Sequence, residues 1–314
     1  MSRFLLARLV RLVAKMFICS GVVFASLYVA PGGPLAAITR GRLLTPEAQD
    51  ELIRLYHLND PFLDRFLSWL GNALLGDLGT SYVARQPVID MIGPRLMVTV
   101  SLVLYAGLII VLAGVGLGVL AAVRGGRVDG AIVAGFSALA AIPGFVASAV
   151  LLAVFAVGLG LFPSFGAGTG FLDRVWHLTL PAVALAVAAV GYVGRVTRTA
   201  VIAEKSREHV TTAVSRGMRP REVLVSHVLR NALVPITTSV GLTIAGLIAS
   251  SVVVENVFSL DGVGSLLIES VNNKDFPVVQ GVSLVLVASF VVVNTVVDLL
   301  YPVLDPRIRR GALL

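Results

Sequence analysis

Long uncharged stretches alternate with short charged ones along the 314 residues of the chain. A helix needs about 20 mainly apolar residues to cross the hydrocarbon core of a bilayer. Six stretches meet this requirement: Met16–Thr39, Met97–Val123, Gly130–Leu172, Val175–Gly194, Asn231–Val254 and Phe276–Val297. The pattern therefore predicts an all-α integral membrane protein with six transmembrane helices.

The third stretch, 43 residues long, has room for one helix and a re-entrant piece or for two helices. Gly158, Gly160 and Pro163 lie in it as a cluster of helix-breaking residues. We expect one helix over about residues 130–157, followed by a non-cytoplasmic loop.

Lys and Arg concentrate at every second connection between the stretches, which predicts the orientation. The N-terminus carries four basic residues before Met16 and no acidic one, and residues 195–230 carry eight basic against three acidic residues. By contrast, residues 255–275 hold one lysine against four acidic residues. Both termini are therefore expected in the cytoplasm.

The predicted spans divide the chain into four parts. Residues 1–30 hold the N-terminal segment and the first helix, whose 24-residue uncharged run is longer than that of a signal peptide, so we expect it to be retained. Residues 31–96 form an extracytoplasmic cap with short helices over Glu47–Tyr56 and Leu63–Leu75. Residues 97–305 form a five-helix core that includes a coupling region at 195–230, and residues 306–314 form a cytoplasmic tail.

Composition supports a membrane protein without catalytic groups of its own. Charged residues make up 14% of the chain, against roughly 25% in soluble domains, and the mean hydropathy is +0.92. The net charge of +7 does not indicate nucleic acid, because the basic residues lie between apolar runs that predict a lipid bilayer as partner. None of the three lysines follows a glycine, as a phosphate-binding loop requires, and the four histidines and one cysteine show no metal-ligand spacing. We expect no catalytic, cofactor or metal site, and an energy source on another chain.

The basic connection at 195–230 holds the most informative pattern. Apolar and small residues recur there at helical spacing, at Val210, Ala213, Val214, Gly217 and Met218. Gly217 is placed to end a short helix, and Pro220 suits the first turn of the next one. Periodicity alone favours an amphipathic helix lying on lipid headgroups. The alternative is a helix that docks into a cleft of a cytoplasmic partner.

Four further features are candidates with simpler structural explanations. Asp298, near the end of the sixth span, is expected to snorkel or to pair with Arg195 or Arg198 rather than contact a solute. Gly114 and Gly118 would permit close approach of helices. Glu255 begins an external segment that could line an exit or a docking surface for a binding protein.

Short motifs distributed over nearly the whole chain carry a family resemblance. They are Val29–Pro34, Tyr56–Pro61, Gly76–Gly79, Gln86–Val88, His177–Pro181, Arg195 with Arg198, Glu208–Gly217, Arg230–Pro235, Val253–Phe258, Asp275–Gly281 and Asp305–Ile308. In this order the chain resembles the permease subunits of dipeptide/oligopeptide-type ABC importers, specifically the subunit with a long external loop after its first helix. It departs from the family pattern at Gly33, at His209, near Thr212 and Ser215, and at Leu260-Asp261.

The resemblance implies the type I ABC importer fold, a bacterial cytoplasmic membrane location and a defined set of partners. These are a homologous second permease, two ABC ATPase subunits that carry ATP and magnesium, and an extracytoplasmic substrate-binding (lipo)protein. It assigns coupling to the ATPases to Glu208, Val210, Thr211, Thr212, Ala213, Val214, Ser215, Arg216, Gly217 and Met218. The cytoplasmic helix ends would be Arg195, Arg198, Arg230, Asn231 and Asp298, and the candidate extracytoplasmic docking or exit residues Glu255, Phe258 and Asp275.

The expected function is ATP-driven uptake by alternating access, in which movement of the docked helix rotates the spans. Related permeases handle dipeptides, longer peptides, glutathione, nickel chelates or haem, so the resemblance leaves the cargo open, and the second permease could be a distinct chain or a second copy. An ion- or proton-coupled secondary transporter is the alternative. Such proteins place ionisable residues or broken helices near mid-membrane, and it is disfavoured because the predicted spans are almost empty of charge at their centres. A membrane-embedded hydrolase would need a nucleophile and base that the sequence lacks.

Overall fold

The computed structural model describes residues 2–29, 35, 39, 45–55 and 59–304. Within α1 and the end of the last helix, side chains 2–9, 26–29 and 298–304 are not described, nor are those of residues 52 and 55. The described residues are helical and contain no strand, apart from one isolated β-bridge between Thr80 and Pro87. The predicted all-α class is confirmed.

Eleven helices follow one another in the described ranges. They are α1 (Ser2–Val29), α2 (Pro46–Leu55), α3 (Phe62–Leu74), α4 (Val88–Arg124), α5 (Gly126–Ala141), α6 (Gly144–Gly158), α7 (Phe171–Lys205), α8 (Glu208–Ser215), α9 (Pro220–Val257), α10 (Val263–Asn272) and α11 (Phe276–Leu304). Wider π-helical turns occur in α4 at Ile110–Val115, in α6 at Leu152–Gly158 and in α9 at Val223–Leu229.

Four helices in the described part are long and apolar enough to cross a membrane. They are α4, α7, α9 and the Phe276–Val297 part of α11, with 22 to 38 residues each. At 1.5 Å per residue, all exceed the roughly 30 Å of a hydrocarbon core. The number rises to five if α5 and α6 together form one span. These helices overlap predicted spans two, four, five and six, while the first predicted span overlaps α1 over residues 16–29 and otherwise lies largely outside the described residues.

The third predicted span differs from a single helix, because α5 and α6 are bent by 96° at Ile142-Pro143. Both residues have extended backbone, with ψ of 116° and 141°. Proline lacks the N–H that a continuing helix uses, and it disfavours helical backbone at the residue before it. The expected helix over residues 130–157 is therefore wrong as one element, although the expected loop after Gly158 is present.

One compact unit comprises residues 1–99 and 261–291. Two helices, α2 and α3, lie within one residue of the bounds predicted for the short helices of 31–96, while the extracytoplasmic position of this segment stays a prediction. Residues 30–34 of the first motif and 56–58 of the second lie outside the described residues. Aromatic rings join α3 to α1: Phe66 lies 5.3 Å from Phe17 and 5.7 Å from Phe24, between ring centroids. Both Phe24 and Phe66 are buried, so these rings hold the cap helix against the first helix.

The second compact unit comprises residues 100–260 and 292–314, with α7 at its centre, packed against α4, α5, α6 and α9. Glycine permits the close approach of α4 to α7. A Cβ atom on Gly118 of α4 would lie 2.7 Å from the carbonyl oxygen of Gly194 on α7, and one on Gly114 would lie 3.4 Å from that of Val190. The predicted close approach at Gly114 and Gly118 is confirmed. The tail at 306–314 and the Asp305–Ile308 motif lie outside the described residues.

Candidate functional site: the connection between α7 and α9

The predicted short helix is present as α8, eight residues that follow the end of α7 after Ser206 and Arg207. Arg207 has extended backbone, and its carbonyl accepts hydrogen bonds from the N–H groups of Val210 and Thr211 at 3.0 and 3.2 Å. Glu208 occupies the first turn, where a negative charge interacts favourably with the helix dipole. Local chemistry thus accounts for the start of α8.

Gly217 ends α8 in the way that the sequence predicts. Its φ of +77° lies in the left-handed region, which glycine adopts without the steric penalty of a Cβ. The Gly217 N–H donates to the Val214 carbonyl at 2.9 Å, and the Met218 N–H donates to the Ala213 carbonyl at 3.3 Å. These two bonds form a Schellman motif that caps the last carbonyls. Pro220 then begins α9 at its first position, as expected.

The inward face of α8 packs on the chain's own core. Val210 and Ala213 are 5% and 4% exposed, and both belong to a cluster contributed by α4, α7, α8 and α9. Their neighbours in this cluster are Ala122, Val201, Val223, Val228, Ala232 and Ile236, with Met218 packed at its edge. These two residues therefore position the helix, and the expectation that the whole apolar stripe faces a partner is wrong for them. Periodicity placed Val210 and Ala213 on one face but did not show what covers them, and Val214 of the same predicted stripe is exposed instead.

The outward face of α8 is exposed to solvent and is mainly polar. Its exposed side chains are Glu208, His209, Thr211, Thr212, Val214, Ser215 and Arg216, and Gly217 is exposed beside them. Val214 is 59% exposed, so one sizeable apolar group accompanies the hydroxyls. This face is therefore the part of α8 available to a partner protein.

Polar contacts around His209 tie α8 to both flanking helices. His209 Nε2 lies 3.3 Å from Glu204 Oε1 on α7 and 3.2 Å from Asn231 Nδ2 on α9. The same Asn231 amide donates to the His227 carbonyl at 2.8 Å, and the two imidazole centroids are 6.3 Å apart. When protonated, the His209 ring can donate to Glu204; with Nε2 unprotonated it can accept from Asn231. His209 therefore cross-links the helix to its neighbours.

Two basic side chains at the end of α7 are fixed by neighbouring helices. The Arg198 guanidinium donates through Nε and one terminal nitrogen to both carboxylate oxygens of Asp129 on α5. Such a two-pronged pair is more geometrically specific than a single contact. Lys205 Nζ donates to the Ala122 carbonyl near the end of α4 at 3.0 Å. The end of α7 is thus tied to both α4 and α5.

The remaining helix-end residues predicted from the sequence are Arg195, Arg230, Asn231 and Asp298. Arg195 and Arg230 are exposed, and Asn231 takes part in the His209 contacts. The Arg198 partner in the structure is Asp129, where the sequence suggested Asp298. The Asp298 side chain itself lies outside the described residues.

The three candidate docking or exit residues are buried within this chain. Glu255 is 0% exposed and Phe258 1%, at the end of α9. Asp275, 2% exposed, accepts hydrogen bonds at its carboxylate from the Ser81 hydroxyl at 2.5 Å and from the N–H groups of Tyr82 and Val83 at 3.1 and 3.2 Å. Its role here is to fix the loop that contains Ser81. These side chains are buried in the isolated chain, and their docking or exit role stays a prediction.

Among the described residues, no group of three or more His, Cys, Asp or Glu side chains could hold a metal ion. The absence of a bound cofactor stays a prediction.

Comparison with known protein families decides the class of this membrane protein. Residues 114–310 match the family described as binding-protein-dependent transport system inner membrane component, and residues 1–103 match the N-terminal module of such components. The chain belongs to this family. The family covers α7, α8 and α9 in full, so the connection described above is part of its shared domain.

Curated relatives align over almost the whole of this inner membrane component. A probable peptide ABC transporter permease protein of Sinorhizobium fredii is 35% identical, covering 98% of this chain and 100% of the relative. A glutathione transport system permease protein of Escherichia coli (strain K12) is 34% identical, covering 98% and 99%. An oligopeptide transport system permease protein of Bacillus subtilis is 36% identical, covering 91% and 92%. The resemblance drawn from the sequence motifs is confirmed.

Sequence reasoning missed Asp129 and Glu204 as contributors to the site. Asp129 lies 69 residues before Arg198, and only the packing of α5 on α7 brings them together. Glu204 and His209 are five residues apart on different helices, so helical spacing does not pair them. Of these two residues, Asp129 alone could have been noticed in the sequence, because it is the one acidic residue between Asp90 and Asp173.

Proposed function

We propose that this chain is the translocation subunit of an ATP-driven importer for peptides or a similar solute, and that α8 couples it to an ATPase subunit. The observation that carries the proposal is the division of α8 into a buried face and an exposed one. Val210 and Ala213 fix the helix to the ends of α4, α7 and α9, while Thr211, Thr212 and Ser215 face outward. A force applied to the exposed face would therefore be transmitted directly to three candidate spans, α4, α7 and α9.

The proposed assembly contains a second, homologous permease, two ATPase subunits that bind ATP and magnesium, and an extracytoplasmic binding protein. In it, closure of the ATPases moves α8, and the spans alternate between inward and outward access. The relatives named for peptide, oligopeptide and glutathione transport support a peptide-like cargo. The membrane would be the bacterial cytoplasmic membrane.

The proposed topology has six spans with both termini in the cytoplasm, which requires α1 to cross and α5 with α6 to count as one crossing. Reporter fusions test this arrangement. Fusions at Gly41 and Gly168 should report the outside, and fusions at Gly125 and Arg219 the inside. A cytoplasmic signal at Gly168 would contradict the count, because α5 and α6 would then each cross or both return to the same side.

The coupling role is tested with an added charge on the outward face of α8. Thr212→Arg or Ser215→Arg introduces a long cation at an exposed position, so the isolated chain should keep its thermal stability. We expect the ATPase subunits to co-purify poorly with both variants and to hydrolyse ATP without responding to the loaded binding protein.

Ser206→Arg is the matched control, since it adds the same charge to an exposed site of the same connection outside α8. Normal ATPase association and uptake in Thr212→Arg and Ser215→Arg would refute the coupling role and favour a helix on lipid headgroups, where a basic residue gains about 1 kcal/mol. Ala213→Arg is unsuitable for this purpose because Ala213 is buried in the chain's own core.

The secondary-transporter alternative makes a separate prediction. In vesicles, uptake by the assembled complex should require ATP and should persist after proton and sodium gradients are collapsed. The purified chain alone should hydrolyse no ATP above background, since its sequence has no phosphate-binding loop. Uptake driven by an ion gradient without ATP would support the alternative.

A further inference from the structure

The segment from residue 159 to residue 176, which runs from the end of α6 through the first six residues of α7, is apolar on its outside. We call it the apolar loop. Its exposed large apolar side chains are Leu159, Leu161, Phe165, Phe171, Leu172, Val175 and Trp176, with Phe171 and Leu172 each 81% exposed. It contains no charged residue before Asp173. Exposed apolar groups in such number mark a surface that something else covers.

The apolar loop has a defined conformation. The Phe162 and Trp176 rings stack with centroids 4.5 Å apart, which joins its first part to its last. At its start the Leu159 and Leu161 N–H groups donate to carbonyls of α6, both at 2.9 Å. The apolar side chains are thus presented outward by a structured segment.

Polar groups gather at one end of the same segment. Asp173 accepts a hydrogen bond from the Thr169 N–H at 2.7 Å, and its carboxylate lies 3.2 Å from His177 Nδ1. Trp176 directly precedes His177 in the chain, and its ring stacks on Phe162 in the first part of the segment. A segment that is polar at one end and apolar over the rest suits the boundary between lipid headgroups and acyl chains, where tryptophan is enriched.

Continuity with α6 indicates what covers the apolar loop. The exposed apolar surface continues back into this helix through Phe145, Val150, Val154 and Val157, the last 72% exposed. α6 has 15 residues and α5 has 16, so each is shorter than the roughly 20 residues that a crossing needs. Neither helix alone is therefore long enough to fix its depth by spanning the hydrocarbon core.

We propose that the apolar loop is an interfacial anchor, seated in the headgroup and upper acyl region of the bilayer with the Trp176 indole at that level. In this position it sets the depth at which α6 ends and α7 begins. The occupant of the exposed surface is lipid, and the proposal does not depend on the coupling role of α8.

The chain's two tryptophans, Trp69 and Trp176, allow a direct test. Trp69→Phe leaves Trp176 as the one fluorophore, and Trp176→Phe leaves Trp69. The full chain is reconstituted into phosphatidylcholine vesicles whose acyl chains carry bromines either near the carbonyl end or near the methyl end. Iodide in the buffer probes exposure to water.

Trp176 should lose most of its emission with the shallow bromines, much less with the deep ones, and little with iodide. Because Trp69→Phe could disturb the rings of Phe24 and Phe66, the difference between the unmodified chain and Trp176→Phe gives the same quantity independently. Efficient iodide quenching of Trp176 with no effect of the shallow bromines would overturn the proposal. If added binding protein or a second permease then abolished the iodide quenching, the loop would be a protein-docking surface instead.

Discussion

Substitution of Gly118 by alanine tests the packing of α4 on α7 at its closest point. The added Cβ would lie 2.7 Å from the Gly194 carbonyl oxygen and 2.8 Å from the Thr197 Cβ. Both atoms belong to the framework of α7, so neither can rotate away, and the two helices must separate. Overpacking of this kind typically costs about 1–3 kcal/mol.

A second effect of the same substitution has the opposite sign. Alanine is favoured over glycine inside a helix by about 1 kcal/mol, so the observed change is the difference of two terms. Gly116 provides the control that separates them, because it lies in the same helix and a Cβ there would meet nothing within 4 Å. Gly116→Ala carries the helix preference alone. The stability difference between the two variants therefore isolates the steric term of about 1–3 kcal/mol.

The assay is reversible unfolding of the purified chain in mixed micelles, followed by helical circular dichroism as sodium dodecyl sulfate is added. Gly116→Ala should be as stable as the unmodified chain or more so, and Gly118→Ala should unfold earlier than Gly116→Ala. Gly118→Val should be worse than Gly118→Ala. Equal midpoints for the two alanine variants would refute the close approach of α4 and α7.

Three further predictions follow from single contacts. Asp275→Ala should speed proteolysis near Ser81, because it removes the acceptor of the buried Ser81 hydroxyl at a cost of about 1–3 kcal/mol; unchanged cleavage would argue against this role of Asp275. Gly217→Ala should lower the unfolding midpoint, since left-handed backbone costs an L-residue roughly 1–2 kcal/mol. Asp129→Asn should destabilise the chain by removing the charge opposite Arg198, and the exchange Asp129→Arg with Arg198→Asp should recover part of the loss, measured as coupling in a double-mutant cycle.

Features set by neighbouring residues could be predicted from the sequence. The end of α8 at Gly217 and the start of α9 at Pro220 depend on backbone properties of those two residues, and both predictions hold. Long apolar runs likewise identify α4, α7, α9 and α11, because the length of a crossing helix is imposed by the bilayer.

The break at Pro143 shows where local signals are insufficient. Pro94, Pro181 and Pro235 lie inside helices that continue through them, so proline alone does not mark a break in this chain. Whether a helix bends at proline depends on the packing that replaces the lost hydrogen bond, and a sequence does not state that packing.

Contacts between distant parts of the chain explain the remaining differences. The stripe on α8 has the predicted period, yet Val210 and Ala213 are covered by residues of α4, α7 and α9 that the period does not identify. Asp275 is an external-side acid in the sequence, but its donors lie more than 190 residues earlier in the chain. In both cases tertiary contacts determine whether a residue is available to a partner.

The buried and exposed faces of α8 are subject to different constraints on substitution. Changes at Val210 or Ala213 must suit the chain's own interior, whereas changes at Thr211, Thr212 or Ser215 leave that interior untouched. Under the proposed coupling role, evolution can vary the outward residues to match a new ATPase while the chain keeps its fold. In that case, a chimaera that exchanges only these outward side chains between two homologous permeases should change which ATPase associates and leave the stability of the chain unaltered.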